Sequence, residues 1–394
     1  MINTKLTRTE WKTRKITLSI MTMILSFGCH KSNIDQKDLR NFTQVNLVAN
    51  SAEYKPVTID TTLINAFGIS WSPNGIAWVN SVGGHVSELY TAEGAVVRRV
   101  NIPSPTDTIG GFPTGIVFSG NMGFNLPNGP SLFLFTGFDG VLSGWNGPSG
   151  NNAQRLKAPP GASYTGLAIG SSGGRNFIYG ANFGKKKIDV WDTAFTKVSM
   201  SFKDPTLPDS YSPYNIQAVG DFLFVMYAEL KTTDPGAGHA VPGAGKGFVS
   251  VFNTDGSFVK RFASQGTLNI PWGFTIAPGS FLEDKDMDDD NGEDHSPNLT
   301  KNKNGNDQTG IHGKHDPKDP VILVGNFGDG HINVFSRDGS FLGQLHAHKQ
   351  TIVIEGLWAL SFPPSSASID PSRLYFTAGP DNESDGVYGY LIKQ

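Results

Sequence analysis

The stretch VGNFGDGHINVFSRDGSFLGQL, Val324 to Leu345, combines an apolar run, a Gly-rich corner, an alternating run and an Asp-Gly turn. A similar order of elements occurs in GANFGKKKIDVWDTAFTKVSM, Gly180 to Met200, and in GKGFVSVFNTDGSFVKRF, Gly245 to Phe262. Alternating apolar residues bounded by Gly, Asn and Asp are typical of β-strands joined by tight turns. The recurrence predicts a fold assembled from repeated β units.

A second pattern gives the number of units. Six short apolar runs begin in a similar way, with Gly at the third position in four of them and another residue there in two. The third-position residues are Gly68, Gly115, Gly166, Asn215, Gly273 and Trp358. These positions are 47, 51, 49, 58 and 85 residues apart. A period of roughly 40 to 50 residues that holds four short strands is typical of a β-propeller blade. The sequence therefore predicts an all-β, six-bladed β-propeller of four-stranded blades.

The sixth repeat lacks a strand. It ends after its third run, GVYGYLIK, Gly386 to Lys393, whereas FTQVNLVAN, Phe42 to Asn50, precedes the first repeat and belongs to no other blade. An open ring would leave unpaired strand edges, which folded proteins avoid. We therefore predict that the N-terminal strand closes the ring beside the C-terminal strand, which makes residues 42–394 a single propeller domain.

The interval of 85 residues indicates an insertion in blade five. The excess falls between the first and second strands of that blade, on residues 281–320, which are acidic and polar and show no periodicity. Such a composition predicts a disordered surface loop.

The first 28 residues differ from the rest of the chain. Five basic residues precede ITLSIMTMILSF, Ile16 to Phe27, a run too short to span a membrane but suited to a signal peptide. Gly28 and then Cys29, the only cysteine, follow this run, and Cys29 resembles the lipidated cysteine of a bacterial lipobox. We expect a signal peptide over residues 1–28, lipidation at Cys29 and a lipid-anchor tether over residues 29–41. Simple secretion is the alternative.

Charge excludes one class of partner. The chain has 32 basic and 35 acidic residues, and the leader holds five basic residues and Glu10, so the mature chain carries 27 basic and 34 acidic residues, a formal charge of −7. A protein with this balance has no basic footprint for nucleic acid. We expect a monomer at the bacterial cell envelope, as an outer-membrane or periplasm-facing lipoprotein, with no nucleic-acid partner.

Several motifs in fixed order resemble those of a known family: PYNIQAVGDFLFVMYAE, GKGFVSVFNTDGSFVKRF, NIPWGFTIAP, LVGNFGDGHINVF and GLWALSF. The chain resembles a family of uncharacterised secreted bacterial β-propellers that are related in architecture to NHL-repeat proteins, and the likeness covers essentially Phe42 to Lys393. The resemblance implies the propeller fold and secretion. It implies no activity and no cofactor.

The predicted first strands line an axial channel, where a binding site is expected. The candidate ligand-binding residues are the polar ones on these strands and two aromatic ones beside them: Asn65, Thr114, Thr165, Asn215, Gln217, Glu355, Trp272 and Trp358. Further rings at the same entrance are Phe67, Phe112, Tyr164 and Tyr214, and such rings stack on sugars. Alternatively, the polar groups bind one another and the rings pack blades together.

Two classes of function follow. The first is a lipid-anchored envelope propeller that acts as a ligand-, glycan- or protein-binding scaffold. The alternative, by analogy with six-bladed lactonases, is a calcium-dependent lactonase- or esterase-like hydrolase, with Glu355, Asn65 and Asn215 as oxygen ligands of the ion. A hydrolase of this kind would be expected to place several carboxylates on its inner strands, whereas Glu355 is the single one predicted there. The binding scaffold is therefore favoured.

Overall fold

Short strands, nearly all of them paired antiparallel, build most of the described chain, because its alternating apolar runs are interrupted by turns rich in Gly, Asp and Asn. The computed structural model describes residue 34 and residues 36–120, 122–231, 239–283 and 320–394. The predicted leader, Cys29 and most of the segment 281–320 lie outside the described residues. Helix within them is confined to short 3-10 turns: η1 (Gln36–Leu39), η2 (Ala52–Tyr54), η3 (Gly147–Ser149), η4 (Phe183–Lys185) and η5 (Gly279–Leu282).

The first half of the chain forms an N-terminal pair of strands and three blades. The N-terminal pair is β1 (Phe42–Ala49) and β2 (Thr58–Ile59), and blade one contains β3 (Ala66–Trp71), β4 (Ala77–Ser81), β5 (Val86–Tyr90) and β6 (Val96–Asn101). The next strands are β7 (Pro113–Phe118), β8 (Asn125–Leu126), β9 (Gly129–Pro130), β10 (Phe133–Gly137), β11 (Leu142–Trp145) and β12 (Gln154–Lys157). Blade three contains β13 (Tyr164–Ser172), β14 (Arg175–Asn182), β15 (Lys187–Asp192) and β16 (Lys197–Val198). Blade two consists of β7 and β10 to β12, and β8 and β9 form a small hairpin between them.

The second half forms the other three blades. Blade four contains β17 (Tyr211–Val219), β18 (Phe222–Glu229), β19 (Phe248–Asn253) and β20 (Phe258–Ser264). Blade five contains β21 (Pro271–Ile276), β22 (Ile322–Asn326), β23 (Ile332–Phe335) and β24 (Phe341–Gln344), and is followed by a hairpin of β25 (His346–Ala347) and β26 (Gln350–Thr351). Blade six contains β27 (Leu357–Ser361), β28 (Leu374–Ala378) and β29 (Val387–Lys393). The six-bladed all-β propeller is confirmed. The predicted insertion falls between β21 and β22.

The predicted closure of the ring is also confirmed. β1 pairs antiparallel with β29, from Phe42 opposite Lys393 to Ala49 opposite Val387, so that the N-terminal strand completes blade six. Leu39, in η1, is fully buried in the same core cluster as Phe42. The end of the predicted tether therefore packs on the propeller, because Leu39 gives this otherwise polar segment an apolar anchor.

Aromatic side chains fill the spaces between blades. Trp78 of blade one stacks on Phe133 of blade two, with ring centroids 4.0 Å apart. Tyr90 of blade one stacks on Tyr388 of blade six at 5.5 Å. Burial of such large rings is a main stabilising contribution in a fold whose single blades cannot bury both faces.

In four of the six blades a buried polar residue on the third strand lies directly opposite a long polar residue on the fourth strand. The pairs are Glu88 with Arg99, Ser143 with Arg155, Ser250 with Arg261, and Asn333 with Gln344. In blade one Arg99 Nε donates to both carboxylate oxygens of Glu88, at 2.9 and 3.0 Å. In blades one, four and five the fourth-strand residue therefore donates to a buried polar group of the third strand, whereas Arg155 in blade two donates to backbone oxygens instead.

The pair in blade one makes stability depend on pH. Burial, and then the nearby Asp60 carboxylate, raise the pKa of Glu88 from 4.5 to about 7, although Arg99 opposes the rise. When the pKa of a carboxyl group is higher in the folded than in the unfolded state, its contribution to stability is fully present at pH values below the unfolded-state pKa. This contribution is lost as the pH rises through the folded-state pKa. We expect the free energy of unfolding to fall by about 2 kcal/mol between about pH 5 and about pH 8 through this group.

Urea denaturation at a series of pH values tests this expectation with Glu88→Gln, which should remove that decline. The exposed Glu93→Gln is the matched control and should keep the wild-type pH dependence. Equal pH dependence in wild type and Glu88→Gln would contradict the role given to Glu88.

Candidate functional site

One face of the ring gathers the start of every inner strand and the end of every second strand. Pro113 pairs with Gly137 in blade two, and Pro271 pairs with Asn326 in blade five. The connections from second to third strands leave from this face. We call it the mouth face, because one end of the axial channel lies there.

An aromatic cluster closes the channel at the mouth face. We call it the aromatic plug, and its rings come from four blades: Phe67, Tyr214, Trp272, Phe327 and Trp358. The Trp358 indole lies between Phe67, at 3.8 Å between centroids, and Phe327, at 3.9 Å. Trp272 meets Phe67 edge-on at 5.1 Å. Of these rings only Phe327 is half-buried; the others are buried, so their faces are already occupied by one another.

The remaining channel is narrow. A cavity of about 70 Å³ follows the inner strands from Trp272 and Asn215 to Gln217, which is exposed on the opposite face. This volume accommodates a few water molecules, whereas pockets for small organic ligands measure roughly 300 to 1,000 Å³. The axial cavity therefore has no room for a sugar or lactone.

Most of the predicted channel residues hold blades together. Thr114 Oγ1 donates to the carbonyl oxygen of Tyr164 in the next blade at 2.7 Å, and Asn215 Nδ2 donates to that of Trp272 at 2.7 Å. Trp272 Nε1 in turn donates to the carbonyl oxygen of Thr165 at 2.9 Å, from blade five to blade three. These side chains have their hydrogen-bonding capacity committed to the ring itself.

Two of the predicted entrance rings lie elsewhere. Tyr164 packs against Trp191 of its own blade at 5.5 Å, in the core cluster shared with blade two, and its hydroxyl donates to Asp189 at 2.9 Å. Phe112 is exposed and contacts the ring of His85 edge-on at 4.8 Å, on the mouth face outside the plug.

The placement of Glu355 on an inner strand is wrong. The inner strand of blade six begins at Leu357, and Glu355 is an exposed residue of the preceding turn, where its Oε1 accepts a hydrogen bond from Asp381 N at 3.2 Å. The degenerate repeat of blade six has no Gly at its third position to mark the strand start, which is why the sequence pattern misplaced this residue. Glu355 therefore lies on the rim, outside the channel.

The amides of Asn65 and Asn215 do not present oxygen to a metal ion. The indole of Trp358 can only donate, so Asn65 Oδ1 must face Trp358 Nε1 at 2.8 Å and Asn65 Nδ2 must point the other way. Asn215 Oδ1 accepts from the backbone N of Ile216 at 2.8 Å. Across the described ranges, no group of three or more His, Cys, Asp or Glu side chains is placed to hold a metal ion. The proposed set of Glu355, Asn65 and Asn215 does not form a calcium site in this arrangement.

A carboxylate that the sequence reasoning missed lies at the mouth. Glu383 ends a run of three residues with positive φ, Asp381 at 51°, Asn382 at 54° and Glu383 at 68°. Its backbone N donates to Gly379 O at 3.2 Å, which closes one turn of left-handed helix between β28 and β29. Asp and Asn tolerate this conformation, whereas Glu adopts it at a cost of about 1 to 2 kcal/mol. Strain of this kind concentrates at functional sites.

Glu383 is held by a chain of two hydrogen bonds. Its Oε2 accepts from Asn65 Nδ2 at 2.7 Å, and Asn65 accepts from Trp358 of the aromatic plug. Burial raises the pKa of Glu383 above its ordinary value, with Asn65 and His239 acting in the opposite direction. Among the described residues, no hydrogen bond reaches the second oxygen, Oε1. The carboxylate is therefore fixed at one oxygen and available at the other.

The carboxylate reaches towards the propeller axis. Glu383 belongs to blade six, and its partner Asn65 immediately precedes the inner strand of blade one. Burial and then the Glu383 charge raise the pKa of Tyr214 in blade four. Blades one and four lie on opposite sides of a six-bladed ring. We call Glu383, Asn65, Tyr214, Phe327 and Trp358 the mouth site.

No helix within the described ranges has both the length and the apolar character needed to cross a membrane. No protein-family model matches the chain. Three proteins of Acanthamoeba polyphaga mimivirus, all described as uncharacterized, are similar to it. One is 34% identical over 245 residues, 58% of this chain and 51% of its own length. Another is 26% identical over 366 residues, 89% of this chain and 80% of its own length.

The third is 28% identical over 283 residues, 68% of this chain and 45% of its own length. The chain thus spans about half the length of two of these relatives. All three are viral, so they do not support the bacterial origin expected from the sequence resemblance.

Solved propeller structures also resemble the chain. A streptogramin B lyase has a TM-score of 0.49 and 11% identity, covering 90% of this chain and 98% of its own. A virginiamycin B lyase from Staphylococcus aureus has a TM-score of 0.42 and 12% identity, covering 90% and 99%. A gluconolactonase from Xanthomonas campestris has a TM-score of 0.44 and 12% identity, covering 84% and 86%. Similarity this distant says nothing about the reaction.

Proposed function

We propose that this protein is a ligand-binding β-propeller that uses the mouth face, and that it is held at a bacterial cell envelope by a lipid on Cys29. The observation that carries the proposal is the Glu383 carboxylate, presented on a strained turn with one oxygen free. The leader and the lone cysteine support the location. The ligand is a small molecule, a glycan or the side chain of a protein.

The calcium-dependent hydrolase is the weaker alternative for two reasons. The axial cavity, about 70 Å³, is smaller than a lactone substrate requires. The amide oxygen of Asn65 is committed to Trp358, and Glu355 stands on the rim. Neither reason depends on whether an ion is present.

The test compares binding with hydrolysis on the full chain. Thermal melts are recorded with glucose, N-acetylglucosamine and glucosamine, and release of acid from gluconolactone is followed with and without millimolar calcium. We expect at least one sugar to raise the melting midpoint progressively as its concentration increases beyond its dissociation constant, because it binds only the folded state. We expect lactone hydrolysis at the background rate. Calcium-dependent hydrolysis, or no response to any sugar, would overturn the proposal.

The anchor gives a separate prediction. Cys29→Ser should move the protein from the membrane fraction to the soluble fraction of the envelope, because a lipidated cysteine supplies the acyl chains needed for stable attachment. Immunoblots of separated fractions measure the change, with Ser26→Ala as a control that keeps the cysteine. Unchanged fractionation of Cys29→Ser would contradict the anchor without touching the binding site.

A further inference from the structure

Resting on the proposed function, we infer that the mouth site selects ligands that carry a protonated amine, which pairs with Oε1 of Glu383. The inference names a charge class for the ligand. It follows from what the carboxylate lacks, from what surrounds it and from what its neighbour Asn65 can offer.

The carboxylate has no guanidinium or ammonium partner within the described ranges. Elsewhere in the molecule buried carboxylates are paired with cations: Glu88 with Arg99, Asp189 with Lys197 at 2.6 Å, and Asp204 with Arg261 at 2.6 Å. Glu383 receives one amide donor instead. A cation that binds a half-buried carboxylate with a single neutral donor makes an especially favourable interaction, because the cation replaces the solvation that the carboxylate lost on burial.

The surroundings favour a cation over an anion. Exposed carboxylates at Asp381 and Glu355 lie on the same part of the mouth face, beside the half-buried Asp385. Their summed field attracts positive charge towards Glu383. The half-buried Phe327 ring is the outermost member of the stack on Trp358, and aromatic faces attract ammonium groups. An acidic ligand would face repulsion here.

Asn65 decides between an organic amine and a metal ion. Its amide nitrogen, a donor, points at Glu383, because its oxygen is held by Trp358. A calcium ion needs six to eight oxygen ligands, and this neighbour offers it none. An ammonium group needs only acceptors such as Oε1. The same amide leaves Glu383 oriented but not neutralised.

The selectivity depends on pH in a definite direction. The groups that face Glu383 are Asn65 from blade one, Tyr214 and His239 from blade four, and Asp381 on its own turn. Burial raises the pKa of Glu383, so the carboxylate takes up a proton at less acidic pH than an exposed Glu does. Protonation of Glu383 removes the charge that pairs with the amine, so preference for the amine should fade as pH falls.

The experiment uses three sugars that differ at one position: glucosamine carries an amine, N-acetylglucosamine a neutral amide and glucose a hydroxyl. Calorimetric titrations of the full chain near neutral pH compare wild type with Glu383→Gln and Asp381→Asn. Asp381→Asn removes one negative charge from the same turn and keeps a residue that tolerates positive φ. Circular dichroism and thermal melts confirm that each variant is folded.

We expect wild type to bind glucosamine at least about tenfold more tightly than either neutral sugar, on the scale of one charge-assisted contact. Glu383→Gln should remove the preference, whereas Asp381→Asn, which removes one charge of the surrounding field but keeps the Oε1 acceptor, should reduce it by less. Should Glu383→Gln fail to fold, titration of wild type at acidic pH gives the second readout, since the preference should vanish there. Equal binding of the three sugars by wild type overturns the amine inference and leaves the binding function standing. Absence of binding by all three overturns both.

Discussion

Replacing Val48 with Asp should destabilise the propeller by more than about 4 kcal/mol or prevent it from folding. Val48 lies in β1, is fully buried and stands opposite Tyr388 of β29. It packs in a cluster shared by blades six and one, which includes Trp71. An aspartate there would bury a charge without a partner in the strand that closes the ring.

Thr43→Asp is the matched control for this substitution. Thr43 lies on the same strand, opposite Ile392, and is exposed, so the added charge should change stability by less than about 0.5 kcal/mol. Urea denaturation followed by tryptophan fluorescence measures both. Similar losses in the two variants would mean that β1 is not a closing strand buried between blades.

The second large effect concerns the aromatic plug. Trp358→Ala should cost about 3 to 5 kcal/mol, the range for removing a large buried ring. Trp358 is 1% exposed and stacks on both Phe67 and Phe327, so its removal opens a cavity within the mouth site.

Trp358→Phe separates packing from hydrogen bonding. A phenyl ring keeps part of the stack but leaves Asn65 Oδ1 without its donor, which costs about 1 to 3 kcal/mol for a buried acceptor. We expect the order wild type, Trp358→Phe, Trp358→Ala in free energy of unfolding. If Trp358→Ala is as stable as wild type, the plug does not support the mouth face.

The fold was predictable because the repeat is local. Each blade begins with an apolar run whose third residue is Gly or a degenerate substitute, and Gly68 shows why. A Cβ atom there would come within 2.3 Å of the carbonyl oxygen of Thr114 in the next blade. The close approach of neighbouring inner strands therefore requires a glycine at this position, and the repeated glycine is visible in the sequence. The missing strand of blade six likewise identified β1 as the closing strand.

The candidate site was less predictable. Glu355 was assigned to an inner strand because the repeat in blade six is degenerate, and the turn that carries Glu383 has no signature of alternating apolar residues. Its left-handed conformation depends on the loop closing against Gly379, which no local pattern reports. The Asp381-Asn382 pair, two residues that tolerate positive φ, was the available signal.

The polar pairs between third and fourth strands also leave a regular spacing in the sequence. Glu88 and Arg99, Ser250 and Arg261, and Asn333 and Gln344 each lie eleven residues apart. That spacing follows from a third strand, a tight turn and a fourth strand. A search for polar residues at this interval inside apolar runs would have identified the outer strands of blades one, four and five.

The indole N–H signal of Trp358 tests the central claim, that ligands bind at the mouth site. Trp358 Nε1 donates to the same Asn65 that holds Glu383, so a ligand on the carboxylate should move this signal. In nitrogen-15 spectra of tryptophan-labelled protein, assigned with Trp358→Phe, glucosamine should shift the Trp358 signal in wild type and leave it in place in Glu383→Gln. The signal of Trp145, which donates to Gly150 O in blade two, should not move. A shift of Trp145 with Trp358 unchanged would place the ligand elsewhere and contradict the account.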